Sequence, residues 1–151
     1  MNYKKPPCPV VILMAEDNPT DVLLIRGALA DSGLLHTLHV VENGIEAMKF
    51  LHQQGKYAET PCPDIILLDL NMPRKDGLEV LAEIKIDLKL KNIPVIILTT
   101  SGSKEDIARA YASHADCYII KPMDIDDFTQ LVQSVQGFCC RVVTPPIHSE
   151  H

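Results

Sequence analysis

The chain has 151 residues, 46% of them hydrophobic and 23% charged, with a formal net charge of −6. That length suits one domain with a full core, and that composition excludes a disordered chain. The acidic balance, with no basic cluster, argues against direct nucleic-acid binding, where phosphate contacts dominate affinity.

Apolar and amphipathic segments alternate along the chain. The first strand is predicted over Val10 to Ala15. Asn18-Pro19 then reads as an N-cap followed by proline at the first helical position. The first helix carries Val22, Ile25 and Leu29 and is predicted to end at Gly33. Strands two to five are predicted over Leu38 to Val41, Ile65 to Leu68, Val95 to Leu98 and Cys117 to Ile120. Helices two to five are predicted over Gly44 to Gln54, from Gly77 onward, over Lys104 to Ser113 and over Ile125 to Gln136. Asp124 to Asp127 reads as the acidic, capped start of the fifth helix. Strands one, three and four are nearly unbroken Val/Ile/Leu, as expected of parallel strands covered on both faces. The alternation predicts an α/β fold: one doubly wound, flavodoxin-like (βα)5 domain with a parallel sheet in the order 2-1-3-4-5. The domain is predicted over 10–137, with an extension at 1–9 and a tail at 138–151.

No run reaches the roughly 20 apolar residues of a membrane span, and no secretory signal precedes the first strand. Cys8, Cys62, Cys117, Cys139 and Cys140 are odd in number and form no C-x-x-C pair, so reduced thiols in a cytoplasmic protein are expected.

The residues with chemistry stand where strands end: Glu16-Asp17, Asp69, Thr99 and Lys121. In the predicted fold these points converge on one crevice. A phosphate-binding crevice normally has a glycine-rich loop, and here three carboxylates take its place. Such crowding is relieved by a divalent cation, and an all-oxygen donor set suits Mg²⁺. Three carboxylates against one lysine and one divalent cation balance in charge. Asp17, Asp69 and the backbone carbonyl of Asn71 are the candidate metal ligands, with Glu16 acting through water. Asp69 is the candidate nucleophile, able to form an acyl phosphate. Lys121 and the Thr99 hydroxyl are the candidate partners of phosphoryl oxygens. Each has a plainer reading, as a turn residue, a helix cap or a surface lysine.

These motifs resemble the receiver domain of two-component response regulators. The resemblance rests on Glu16-Asp17, Asp69 with Asn71-Met72-Pro73 and Asp76-Gly77, Thr99, and Lys121-Pro122, and covers about Val10 to Gly137. Thr99 and Lys121 follow Asp69 by 30 and 52 residues, as in that family. The resemblance implies that Asp69 accepts a phosphoryl group from a sensor histidine kinase with Mg²⁺. It also implies that Thr99 and Tyr118 shift together to change a partner-binding surface, and that the Lys121-Pro122 bond is cis. By the same resemblance the chain is a signalling protein and no true enzyme, acting on an unidentified downstream protein or relaying phosphate to a histidine phosphotransfer protein. Ser101, two residues after Thr99, is a candidate for tuning dephosphorylation.

The long connection Gln53 to Pro63 and the tail resemble single-domain regulators associated with bacterial phytochromes, which implies a phytochrome kinase and a tail-dependent homodimer. The tail departs from that subgroup in reading Phe138-Cys139-Cys140, with no tryptophan, and the first acidic position is Glu16 where the family commonly has aspartate. Two other classes share parts of the pattern. A Mg²⁺-dependent phosphatase needs Asp-x-Asp after the first strand, whereas Asp69-Leu70-Asn71 follows the third. An FMN carrier needs a Ser/Thr/Gly-rich loop where Glu16-Asp17 stands. A receiver retained only as a scaffold is the remaining alternative, and the full set of site residues argues against it.

Overall fold

The structure, a computed structural model, describes residues 9–122 and 124–130. Five strands form the frame: β1 Val10–Ala15, β2 His36–Val41, β3 Ile65–Leu68, β4 Val95–Thr99 and β5 Cys117–Ile120. Between them lie α1 Pro19–Asp31, α2 Gly44–Leu51, α3 Gly77–Ile86 and α4 Lys104–Ala112. Residues 125–130 are helical and are called α5. The strands are all parallel in the order β2-β1-β3-β4-β5, as the sequence pattern predicts.

Strand side chains alternate between two cores. Ile12, Met14, Ile65, Leu67, Ile96 and Leu98 pack on Ile25 and Leu29 of α1 and Phe128 of α5. Leu13, Ile66, Leu68, Val95 and Ile97 pack on the other face, against residues of α2, α3 and α4 that include Phe50, Val80, Leu81, Ile84 and Ala110. Both faces being covered explains why β1, β3 and β4 read as unbroken apolar runs.

The helix starts follow their signals. The Asn18 side chain accepts from the Thr20 and Asp21 amides. Asn43 and Ser103 cap α2 and α4, and Asp76 with Glu79 forms a reciprocal capping box on α3. The Asp127 amide donates to Asp124 Oδ1 at 3.1 Å, the predicted cap of the fifth helix. Gly33, just past α1, takes φ +78, as a C-terminal cap glycine does.

Strand β4 runs one residue past the expected end, to Thr99, α4 stops one short of it, at Ala112, and two other ends differ by more. Helix α2 stops at Leu51, not Gln54, because Gln53 turns to φ +55. The Gln53 and Gln54 amides then bond to the Phe50 and Lys49 carbonyls, a Schellman closure without glycine. Strand β2 begins at His36, two residues before the apolar run, because its backbone pairs in register with Val10 and Val11 of β1. The connection after α2 holds a short 3-10 turn, Gly55–Tyr57. It is fastened to α2 by the Tyr57 hydroxyl donating to Glu46 Oε1 at 2.7 Å and by the Phe50–Tyr57 ring contact.

Among the described residues, Cys62 and Cys117 are free thiols, and no helix is long and apolar enough to cross a membrane. Residues 1–8 of the extension, the predicted remainder of the fifth helix to Gln136 and the tail 138–151 lie outside the described residues.

Candidate functional site

The sheet brings the strand ends together by continuing its ladder one residue past each strand. The Asp69 amide donates to the Ala15 carbonyl at 3.1 Å, and the Lys121 amide to the Thr99 carbonyl at 2.8 Å. Glu16, Asp69, Thr99 and Lys121 therefore stand in a row across the C-terminal edge of the sheet, at the point where β1 and β3 send their helices to opposite faces.

The row is buried. Glu16 is 2% exposed, Asp69 6% and Thr99 not at all, while Asp17 is exposed at the mouth. Glu16, Asp17 and Asp69 each offer a carboxylate oxygen within 4.8 Å of the others. This compact, all-oxygen set fits a hard divalent cation such as Mg²⁺. Burial raises the Glu16 carboxyl above its ordinary pKa and the Asp69 charge adds to the rise, with the Lys121 hydrogen bond pulling the other way.

Lys121 is the cationic partner, its side chain 9% exposed. Its Nζ lies 2.6 Å from Glu16 Oε1, 2.7 Å from Asp21 Oδ2 and 3.9 Å from Asp69 Oδ2. Burial alone would lower its pKa, but the hydrogen bonds to Asp21 and Glu16 outweigh it and the net shift is upward. Lys121 is therefore a protonated ammonium at neutral pH. The Lys121-Pro122 peptide is cis, as the family resemblance implies.

The loop after β3 is shaped around Asp69. The Asn71 amide donates to Asp69 Oδ1 at 3.2 Å, an Asx turn that fixes the carboxylate. The Gly77 amide returns to the Leu70 carbonyl at 3.1 Å. A Cβ on Gly77 would lie 2.2 Å from the Asp69 carbonyl oxygen, so only glycine lets α3 start this close to β3. Asn71 Nδ2 and the Ser101 amide both donate to Thr99 Oγ1, at 3.3 and 3.4 Å. Tyr118 lies on the far side of the Thr99 loop, its hydroxyl donating to the Ser101 carbonyl at 2.8 Å. The Ser101 hydroxyl in turn donates to Asp106 Oδ2 of α4 at 2.6 Å.

Glu16, Asp17, Asp69, Asn71, Thr99, Ser101, Tyr118 and Lys121 thus fall in one connected group. Two side chains bonded to it were missed. Asp21 takes the second hydrogen bond of Lys121, and Asp106 ties Ser101 to α4. Nothing local marks Asp21, whose partner Lys121 lies 100 residues later in the chain. With Asp21 counted, Lys121 and one divalent cation leave the site with one negative charge in excess.

The model of the family described as response regulator receiver domain matches residues 12–133. The chain is a response-regulator receiver. Response regulator Rcp1 of Synechocystis sp. is 45% identical over 138 residues, which span 91% of this chain and 94% of that protein. The phosphorylated cyanobacterial phytochrome response regulator RcpA has a crystal structure 45% identical to this receiver, with a TM-score of 0.78, over 91% of this chain and 98% of that one. The Mn²⁺-bound form of response regulator Rcp1 gives 45% identity and a TM-score of 0.77, over 90% of this chain and 98% of that one. The receiver thus resembles the phytochrome-associated regulators, in agreement with its long connection before β3.

Proposed function

We propose that Asp69 is the phosphoacceptor, taking a phosphoryl group from a phosphohistidine on a sensor histidine kinase. The observation that carries this is the place of its carboxylate: buried at the end of the central strand, clustered with Glu16 and Asp17, and 3.9 Å from the Lys121 ammonium. In the transfer an Asp69 oxygen bonds to phosphorus as the N–P bond breaks, and the imidazole nitrogen keeps the electron pair. The chain's own part is positioning and charge. The Asn71 amide holds one Asp69 oxygen, Lys121 faces the incoming phosphoryl oxygens, and the Thr99 hydroxyl supplies a further hydrogen bond.

Asp17, Asp69 and the Asn71 carbonyl would hold Mg²⁺, with Glu16 reaching it through water. When bound, the cation supplies positive charge beside the transferring oxygens. That Rcp1, 45% identical, has a Mn²⁺-bound form supports a divalent cation at this cluster. Thr99 and Tyr118 form the switch: a turn of Thr99 toward the phosphoryl group withdraws its oxygen from the Ser101 amide, and Ser101 is the residue that Tyr118 and α4 hold. The receiver acts from 10–137 in the cytoplasm, with a phytochrome as its kinase, a downstream protein as its target and the tail as a dimer contact.

Intact-protein mass after incubation with acetyl phosphate tests the reading. A gain of one phosphoryl group is expected only with Mg²⁺ and only while Asp69 is present. An equal gain in Asp69→Asn would refute the assignment.

A further inference from the structure

Lys121 does not face Asp69 alone. An ammonium has three N–H donors, and Glu16 and Asp21 take two at hydrogen-bond distance, while Asp69 stands 3.9 Å away. Asp21 differs from its neighbours in the site. It stands outside the group of three carboxylates that fits a cation. The side-chain cap of α1 is Asn18, and Asp21 is the acidic residue of its first turn. Its side chain, 22% exposed, reaches back from the first turn of α1 to a lysine 100 residues later in the chain. Glu16, by contrast, also accepts the Asn18 amide at 3.2 Å and belongs to the cation group.

A phosphoryl group on Asp69 adds strong acceptor oxygens beside the same ammonium. Lys121 keeps one N–H donor for them and can offer a second only by giving up a carboxylate, an exchange that partial burial makes costly. We propose that Asp21 is a positioning residue that holds Lys121 back from Asp69, and so sets how tightly the phosphorylated site closes. This rests on the phosphoacceptor reading and adds a competitor for its lysine. Asp21 would thereby trade a weaker phosphorylated state for a lysine held in place in the resting one.

The test is the affinity for fluoroberyllate, a phosphoryl mimic, in saturating Mg²⁺, read by ¹⁹F NMR. Asp21→Asn and Asp21→Ala should both bind about five- to tenfold more tightly than the unaltered chain. Glu42→Gln removes an exposed charge that lines the groove with Glu16 and Asp17, and should bind as the unaltered chain does. Unchanged or weaker binding in the folded Asp21 variants would overturn the role of Asp21 alone. An equal gain in Glu42→Gln would assign the effect to net charge and overturn it as well. No binding by the unaltered chain would sink the phosphoacceptor reading and this one with it.

Discussion

Lys121 and Asp21 mark the limit of what single residues disclose. Glu16, Asp17, Asp69, Thr99 and Lys121 were legible because they stand at or just past the ends of strands, and strand ends of a parallel sheet converge. Asp21 was not legible, because its partner lies 100 residues away and is met only when α1 packs beside β5's outgoing loop. Tyr57 is a second case. Burial and the hydrogen bond to Glu46 raise its phenol from 10.0 to about 12. A raised folded pKa favours the protonated, folded state. That contribution is whole below pH 10.0 and is lost as pH climbs through about 12. Unfolding midpoints taken at pH ~8 and pH ~11 should therefore fall further for the unaltered chain than for Tyr57→Phe. Equal falls would mean that Tyr57 carries no alkaline sensitivity.

At the scale of elements, starts were more legible than ends. Asn, Ser and Asp caps announce helix starts chemically, since their side chains accept the free amides of the first turn. Helix α2 ends through Gln53 and α4 through His114, both at positive φ, and neither residue type signals it. The ends are chosen by where the chain must turn back to the sheet. The β3–α3 junction is tighter still, with Asp69's carbonyl against Gly77. Gly77→Ala should destabilise the fold by about 1–3 kcal/mol through this overlap. It should also displace Asp69 and so slow its phosphorylation. Denaturant unfolding checks the first effect and the rate of mass gain with acetyl phosphate the second. An unaltered unfolding curve would show that the junction can relax.

At the scale of the molecule, the fold gathers carboxylates that a metal-free chain must hold against their repulsion. Glu16, buried and facing Asp69, is the plainest sign of that cost. A cation that binds only the folded state should add stability by mass action. At a concentration 100 times its dissociation constant, Mg²⁺ should contribute about 2.7 kcal/mol and raise the melting temperature accordingly. Asp17→Ala removes the exposed carboxylate proposed as a ligand and should lose most of that gain, which calorimetry with and without Mg²⁺ would show. A full Mg²⁺ gain in Asp17→Ala would take Asp17 out of the ligand set.

The alternation of apolar runs and amphipathic segments was enough to specify the element order, the parallel sheet and the edge at which chemistry gathers. That information is local: periodicity, caps and proline placement act within a turn or a strand. Which face each helix covers, which carboxylates share Lys121 and how the connection before β3 is fastened by Tyr57 were decided only in three dimensions. The Lys121 contacts join segments 100 and 105 residues apart, and the Tyr57 contacts depend on how an irregular connection folds back on α2. Their partners are selected by packing on a twisted sheet, and no short-range pattern in the sequence encodes that choice.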